Sequence, residues 1–211
     1  LKPVFDVLGR LASPQPASFN IAVIGTADIF NAATQFSLGG NRTLSIAGTN
    51  NLFAGIGAGA GITTGTGNAF FGQQAGQANS GGSNNSFFGV NAGPVNTTGF
   101  QLSFFGRDAG ASNTTGSFNS FFGRSAGFSN TTGSGNSFFG QDAGLLNTTV
   151  EVNTFFGNSA GRSNTSGSGN AFFGTFAGFA NTTGIINPFF GHAAGLSNTT
   201  GVGNAIFGNN A

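Results

Sequence analysis

Apolar residues recur along this chain at a fixed 17-residue interval. The triplet Phe-Phe-Gly first occurs at Phe70 and returns at this interval up to Phe189, while Phe53 and Ile206 begin related triplets in phase. Polar and small residues fill the intervals, giving the consensus N-S-F-F-G-x-x-A-G-x-x-N-T-T-G-x-x. A period without insertions predicts identical units stacked on one another, because an inserted residue would shift every stacked neighbour.

Within each repeat the pattern favours short strands and turns. Several glycine-type positions and the Thr pair leave no segment long enough to propagate a helix. We expect a strand at Asn-Ser-Phe-Phe, a corner at x-x-Ala-Gly, and a second strand and corner around Asn-Thr-Thr-Gly. Residues 51–211 are therefore predicted to form an all-β fold, a parallel β-solenoid (β-roll) of about ten 17-residue rungs, each rising about 4.8 Å.

Stacking such rungs in register places equivalent residues in columns. The Ala-Gly pair predicts a column of small residues at a tight corner, with the glycine at positive φ. The double phenylalanine predicts two adjacent aromatic columns, a phenylalanine ladder formed by Phe70, Phe71, Phe87, Phe88, Phe104, Phe105, Phe121, Phe122, Phe138, Phe139, Phe155, Phe156, Phe172, Phe173, Phe189 and Phe190. Stacked asparagine amides bond to one another, which predicts a ladder at Asn79 and at Asn96, Asn113, Asn130, Asn147, Asn164, Asn181 and Asn198.

The two phenylalanines of each strand are expected to lie on opposite faces, because side chains alternate along a strand. One column then fills the interior and the other forms an exposed apolar stripe, larger than a soluble monomer usually carries. We expect that stripe to pack against another copy of the chain. The alternative is that the strand bends and both rings turn inward.

Residues 1–50 lack the period and form a separate N-terminal β-rich segment. Strands are predicted at residues 4–8 and 19–24, and the alternating residues 43–47 lead into the first rung. The chain stops at Ala211, within a rung. An open solenoid end presents unpaired backbone groups, so residues 1–50 are predicted to act as a cap or as a strand that joins a neighbouring subunit near residues 205–207.

The composition argues against several classes of function. Only 5% of residues are charged and the net charge is +1, which gives no electrostatic reason to expect a nucleic-acid partner. No cysteine is present, so neither disulfides nor thiolate metal sites are available. No apolar run approaches the length that spans a bilayer. Asp does not recur in every rung, as calcium-binding solenoids require, and we expect no metal site.

The residues that carry acid–base chemistry are few and scattered, so we expect no enzyme, no catalytic residue and no cofactor. Asp108 and Asp142 share a column but lie two rungs apart, roughly 9–10 Å, too far for a retaining carboxylate pair. His192 and the other variable residues after Phe-Phe-Gly are predicted to form a solvent-facing corner. The remaining acids are Asp6, Asp28 and Glu151.

Asn-Thr-Thr is also an N-glycosylation sequon at each asparagine of the ladder from Asn96 to Asn198. The favoured interpretation is that these residues serve the turn and the ladder, since an inward asparagine leaves no room for a glycan. A regular Thr column is in addition typical of ice-binding solenoids. Adjacent Thr residues point to opposite sides, however, which leaves one outward column.

The segments 136–140, 143–144 and 147–149 (N-S-F-F-G, A-G and N-T-T) resemble the N-T-A-x-G…A…N-T-T-G repeats of phage and bacterial extracellular fibre proteins. They are more distantly similar to the head repeats of trimeric autotransporter adhesins. The resemblance covers about residues 51–211 and implies an extracellular or cell-surface fibre, usually a trimeric β-roll. The departures are a longer rung and Phe-Phe in place of smaller aliphatic residues.

These observations together predict a structural subunit of an extracellular filament that assembles with itself through phenylalanine-rich faces and open solenoid ends. A head-to-tail filament and a trimeric shaft both remain open. The alternative is an adhesin or phage-type fibre shaft that binds a surface ligand through the variable corner.

Overall fold

The computed structural model describes residues 35–38 and 41–211, and side chains from residue 43 onward. The predicted strands at 4–8 and 19–24 lie outside the described residues. Within these residues, twelve strands form one sheet in chain order. Their bounds are β1 Gln35–Leu38, β2 Asn41–Ser45, β3 Leu52–Ala54, β4 Ala69–Phe71, β5 Ser86–Phe88, β6 Ser103–Phe105, β7 Ser120–Phe122, β8 Ser137–Phe139, β9 Thr154–Phe156, β10 Ala171–Phe173, β11 Pro188–Phe190 and β12 Ile206–Phe207.

The strands from β3 to β12 run parallel, and each pairs with the strand of the next repeat so that equivalent residues lie side by side. Phe70 is paired with Phe87, for example, and Phe121 with Phe138. The residues described contain no helix. The predicted parallel β-solenoid with one rung per 17-residue repeat is therefore confirmed.

The hydrophobic part of the solenoid core is a single file of phenylalanine rings beside a file of alanines. The inner column, which runs from Phe53 to Phe189, is at most 1% exposed, and Ala58 to Ala194 at the following corner are fully buried. Neighbouring inner rings stack with centroids 4.7 to 5.0 Å apart. Burying one such ring contributes on the order of 4–6 kcal/mol as an upper bound. Each rung therefore contributes one buried phenylalanine and one buried alanine to the core.

Residues with positive φ form the corner after each strand. The glycine that follows the alanine has φ between 51° and 60°, as predicted. A Cβ added to Gly127 would lie 2.5 Å from Cε2 of Phe121, so the inner ring occupies the space that a side chain would need. After the first rung, the residue before the alanine is also left-handed without being glycine, for example Asp108 and Ser125 at φ 58° and 57°. The sequence pattern did not reveal that second position.

The predicted second strand around Asn-Thr-Thr-Gly is wrong. This segment consists of bends, and each complete rung of the array contains one three-residue strand. The asparagine explains the difference: Asn113 Nδ2 donates to the carbonyl oxygen of Gly116 at 3.0 Å and closes a turn. Such local side-chain bonds compete with extended structure. The segment still bonds to the next rung, as Thr97 N donates to Thr114 O at 2.8 Å.

Part of the N-terminal segment covers the start of the array. β1 and β2 form an antiparallel hairpin, and β2 pairs antiparallel with β3, with Leu44 opposite Ala54 and Ser45 opposite Phe53. The alternating residues 43–47 thus lead into the first rung. The backbone edge of β3 is paired within the same chain.

Candidate functional site

The most prominent surface of the array is a line of phenylalanines on the outside of the parallel strands. Because side chains alternate, the second phenylalanine of each strand points away from the core, and most of these rings are half-buried. The alternative in which both rings turn inward is wrong. We call this set the outer column: Phe71, Phe88, Phe105, Phe122, Phe139, Phe156, Phe173, Phe190 and Phe207.

The outer rings stack on one another as the inner rings do. From Phe71 to Phe156 the centroids are 4.7 to 4.8 Å apart and the ring planes are nearly parallel. Stacking hides the ring faces and leaves the ring edges in solvent. The result is a continuous apolar ridge along the solenoid axis.

A second outward column lies beside this ridge. In strands β4 to β11 the first residue points to the same face as the outer phenylalanine, two residues away. We call this set the small-residue column: Ala69, Ser86, Ser103, Ser120, Ser137, Thr154, Ala171 and Pro188, all half-buried. These side chains are much shorter than phenylalanine, so they form a groove parallel to the ridge.

One rung departs from this regularity. Val150 stands where the other rungs have glycine, and the bond from Asn147 Nδ2 to the Val150 carbonyl lengthens to 3.5 Å. In the next strand Phe156 is 50% exposed, and its centroid lies 6.1 Å from that of Phe173. The ridge therefore loosens between β9 and β10 and resumes at β11.

The predicted asparagine ladder is present in the core. Asn79 to Asn181 are fully buried, and each Nδ2 from Asn96 onward donates to Oδ1 of the asparagine one rung earlier. In most rungs the same amide also donates to a carbonyl three residues later, as Asn130 does to Gly133 O at 3.0 Å. Both amide hydrogens are then in use. A glycan on one of these nitrogens would have to break the ladder, so the folded array disfavours glycosylation there.

A second asparagine ladder was missed by the sequence reasoning, which assigned the asparagine before Ser-Phe-Phe to the strand. Asn68 Oδ1 accepts the backbone N–H of Asn85 at 3.0 Å, and Asn68 Nδ2 donates to Gly82 O at 2.9 Å. Leu102 replaces this asparagine in one rung and is 1% exposed. The signal in the sequence was the asparagine itself, which recurs at the same position of successive repeats.

Three charged side chains of the array line one groove, and the other charged side chains are not among its lining residues. Arg107 Nε contacts Asp108 Oδ2 at 3.0 Å, and Asn91 Nδ2 donates to Asp108 Oδ1 at 3.1 Å. Arg124, Asp142 and Arg162 line a shallow open groove with Phe128 and Leu145. His192 Nδ1 lies 3.1 Å from Asn209 Oδ1, at an exposed corner. Within the described residues no three His, Cys, Asp or Glu side chains are grouped as metal ligands would be.

The Thr pairs present one column to solvent. The hydroxyl of the first Thr of each pair bonds to the next rung, as Thr114 Oγ1 donates to Thr131 O at 3.1 Å. The second is exposed in most rungs, at Thr98, Thr115, Thr132, Thr149, Thr183 and Thr200. A single file of hydroxyls is a narrower surface than the face that carries the phenylalanine ridge.

Comparisons with known proteins identify no relative of this chain. No protein-family model, no curated protein and no solved structure matches it. The resemblance to extracellular fibre repeats thus stays a prediction. The described part of the chain has no helix of the length and apolar character that crossing a bilayer requires.

Proposed function

We propose that this protein is a non-enzymatic structural subunit of an extracellular or cell-surface fibre, and that it associates with copies of itself through the outer column. The observation that carries the proposal is the line of nine phenylalanines on the outside of the parallel strands, whose stacking loosens only between Phe156 and Phe173. Exposed apolar surface on this scale is typical of interaction sites. The resemblance of residues 51–211 to fibre repeats supports the same assignment.

The interior supports a mechanical role. Every rung repeats the same ring stack and the same buried amide ladder, and no buried side-chain nitrogen or oxygen among the described residues lacks a hydrogen-bond partner. Repeated stacking of this kind resembles the ladders that make cross-β assemblies stable. A subunit built this way suits a load-bearing shaft.

The second candidate is an adhesin or phage-type fibre shaft that binds a surface ligand. One observation favours it: all charged residues of residues 51–211 lie between Arg107 and Arg162. Charge confined to part of an otherwise neutral rod is suited to binding a polar ligand. An ice-binding solenoid has less support, because only one Thr column is exposed.

Electron microscopy of the purified 211-residue chain tests the proposal. We expect filaments or laterally associated rods that grow in number with protein concentration. Discrete single particles at every concentration, with a parallel array about 43 Å long, would contradict self-assembly and favour the adhesin. That length corresponds to nine spacings of 4.8 Å between β3 and β12.

A further inference from the structure

The outward face of the strands is asymmetric across the solenoid axis. The outer column forms a ridge on one side and the small-residue column forms a groove on the other. Both run along the axis with the same spacing of about 4.8 Å per rung. A ridge and a groove of equal period on one surface suit contact with a second copy of the same surface.

Symmetry allows two ways for two such faces to meet about a two-fold axis. If the axis lies along the rods, the rods are parallel, and the ridge of each copy faces the groove of the other. If the axis crosses the rods, they are antiparallel, and ridge meets ridge while groove meets groove. Only the first arrangement brings phenylalanine edges against small side chains along the whole face.

We propose that two copies of this chain pair face to face with parallel axes and in register, each outer column seated in the small-residue column of its partner. This proposal rests on the proposed function and names the arrangement of the partner. Closed two-fold symmetry permits no stagger, because both copies use the same patch. Phe122, for example, would pack near Ser120 of the second copy.

The contact area reaches the lower limit for a specific pair. Nine strands spaced by 4.8 Å span about 40 Å, and three residues at ~3.4 Å rise with their flanks give a width on the order of 12 Å. Each copy then buries on the order of 500 Å², so the pair buries about 1,000 Å² in total, where specific interfaces begin. The preformed, rigid columns reduce the ordering cost of association.

Spin labels at single cysteines test the arrangement, because the chain has no cysteine of its own. Three variants, Thr64→Cys, Thr132→Cys and Thr183→Cys, place one nitroxide each in the exposed Thr column. Gly81 and Ser166 occupy the same column, so it tolerates small residues. Distances between copies are measured by pulsed electron paramagnetic resonance, with an excess of unlabelled chain as the control that removes the signal.

The parallel pair predicts the same mean distance between copies for all three variants, within about 3 Å, which is less than one rung spacing. It also predicts two spins per assembly. In an antiparallel pair, either the two copies of Thr64 or the two copies of Thr183 are separated along the solenoid axis by at least seven rung spacings, about 34 Å. Unequal distances, or three spins per assembly, would overturn the parallel pair and leave self-assembly standing. Absence of any signal, with a monomer in sedimentation, would overturn both.

Discussion

The amide of Asn113 links three consecutive rungs. Its Nδ2 donates to Asn96 Oδ1 at 2.9 Å and to Gly116 O at 3.0 Å, while its Oδ1 accepts from Asn130 Nδ2 at 2.9 Å. The side chain is fully buried. Because the side chain is buried, water cannot replace these three hydrogen bonds when the amide is substituted.

Asn113→Asp is expected to make stability depend on pH. The carboxylate would replace a double donor with an acceptor that faces Asn96 Oδ1 and Gly116 O, so burial and these acceptors raise the pKa of the new acid in the folded state. The folded state then holds the proton more tightly than the unfolded state. The free energy of unfolding therefore falls as pH rises from about 4 through the raised pKa.

At pH 7 the loss for Asn113→Asp is on the order of 3–5 kcal/mol, the cost of an uncompensated buried charge. Thermal unfolding between pH 3 and 8, followed by circular dichroism, measures it. Thr115→Asp is the matched control, because Thr115 is exposed two residues away, and it is expected to stay close to the wild type. A flat pH profile for Asn113→Asp would show that the ladder amide is dispensable.

At the scale of the element, the corner after each strand depends on a glycine that has no room for a side chain. Gly127 has φ 58°, and its Cβ position lies 2.5 Å from the ring of Phe121. Gly81 provides a contrast. Its nearest neighbour, Thr64 Oγ1, lies 3.5 Å from the Cβ position, and Gly81 is not among the residues with positive φ.

Gly127→Ala is expected to destabilise the array by about 2–4 kcal/mol, since left-handed strain adds to overpacking against the ring. Gly81→Ala is expected to be neutral or to stabilise by about 0.4–1 kcal/mol through the unfolded chain. Urea denaturation of the two variants beside the wild type gives both values. Equal midpoints for the two variants would mean that the corner glycine is not required.

The strands and columns of the array could be predicted because they depend on period and alternation alone. The unbroken interval fixed the register of Phe121 on Phe138, and alternation placed Phe122 outside. The turn at Asn-Thr-Thr-Gly could not be found in this way. It depends on a side-chain bond from Asn113 to Gly116, which competes with extended backbone structure.

The candidate site was predictable in position but not in shape. The outward stripe followed from the double phenylalanine. The groove beside it required knowing that the strand begins at the small residue, for example Ser120, and that this side chain shares the face of Phe122. The left-handed Asp108 escaped prediction because conformations of this kind usually call for glycine.

At the scale of the whole molecule, both phenylalanine columns stack between rungs, and the outer column is the one that we propose joins one copy to another. The two columns contain the same residue type, one position apart, and differ in burial. Stability of stacked repeats is approximately a sum over neighbouring units. Losing outer rings should lower the stability of the rungs concerned but leave the buried inner column in place, while removing the contact surface.

Sedimentation velocity of two matched variants tests this claim most directly. The first replaces four outer phenylalanines with serine, at Phe88, Phe105, Phe122 and Phe139. The second makes the same four replacements at exposed corners, at Phe100, Phe118, Phe128 and Phe176. Circular dichroism confirms in parallel that each variant keeps its β structure.

We predict that the wild type and the corner variant show a sedimentation coefficient that rises with concentration, and that the outer-column variant sediments as a monomer throughout. The composition of the two variants is the same, so only the position of the lost rings differs. Equal association of the outer-column variant and the wild type would contradict the account, as would an equal loss of association in both variants.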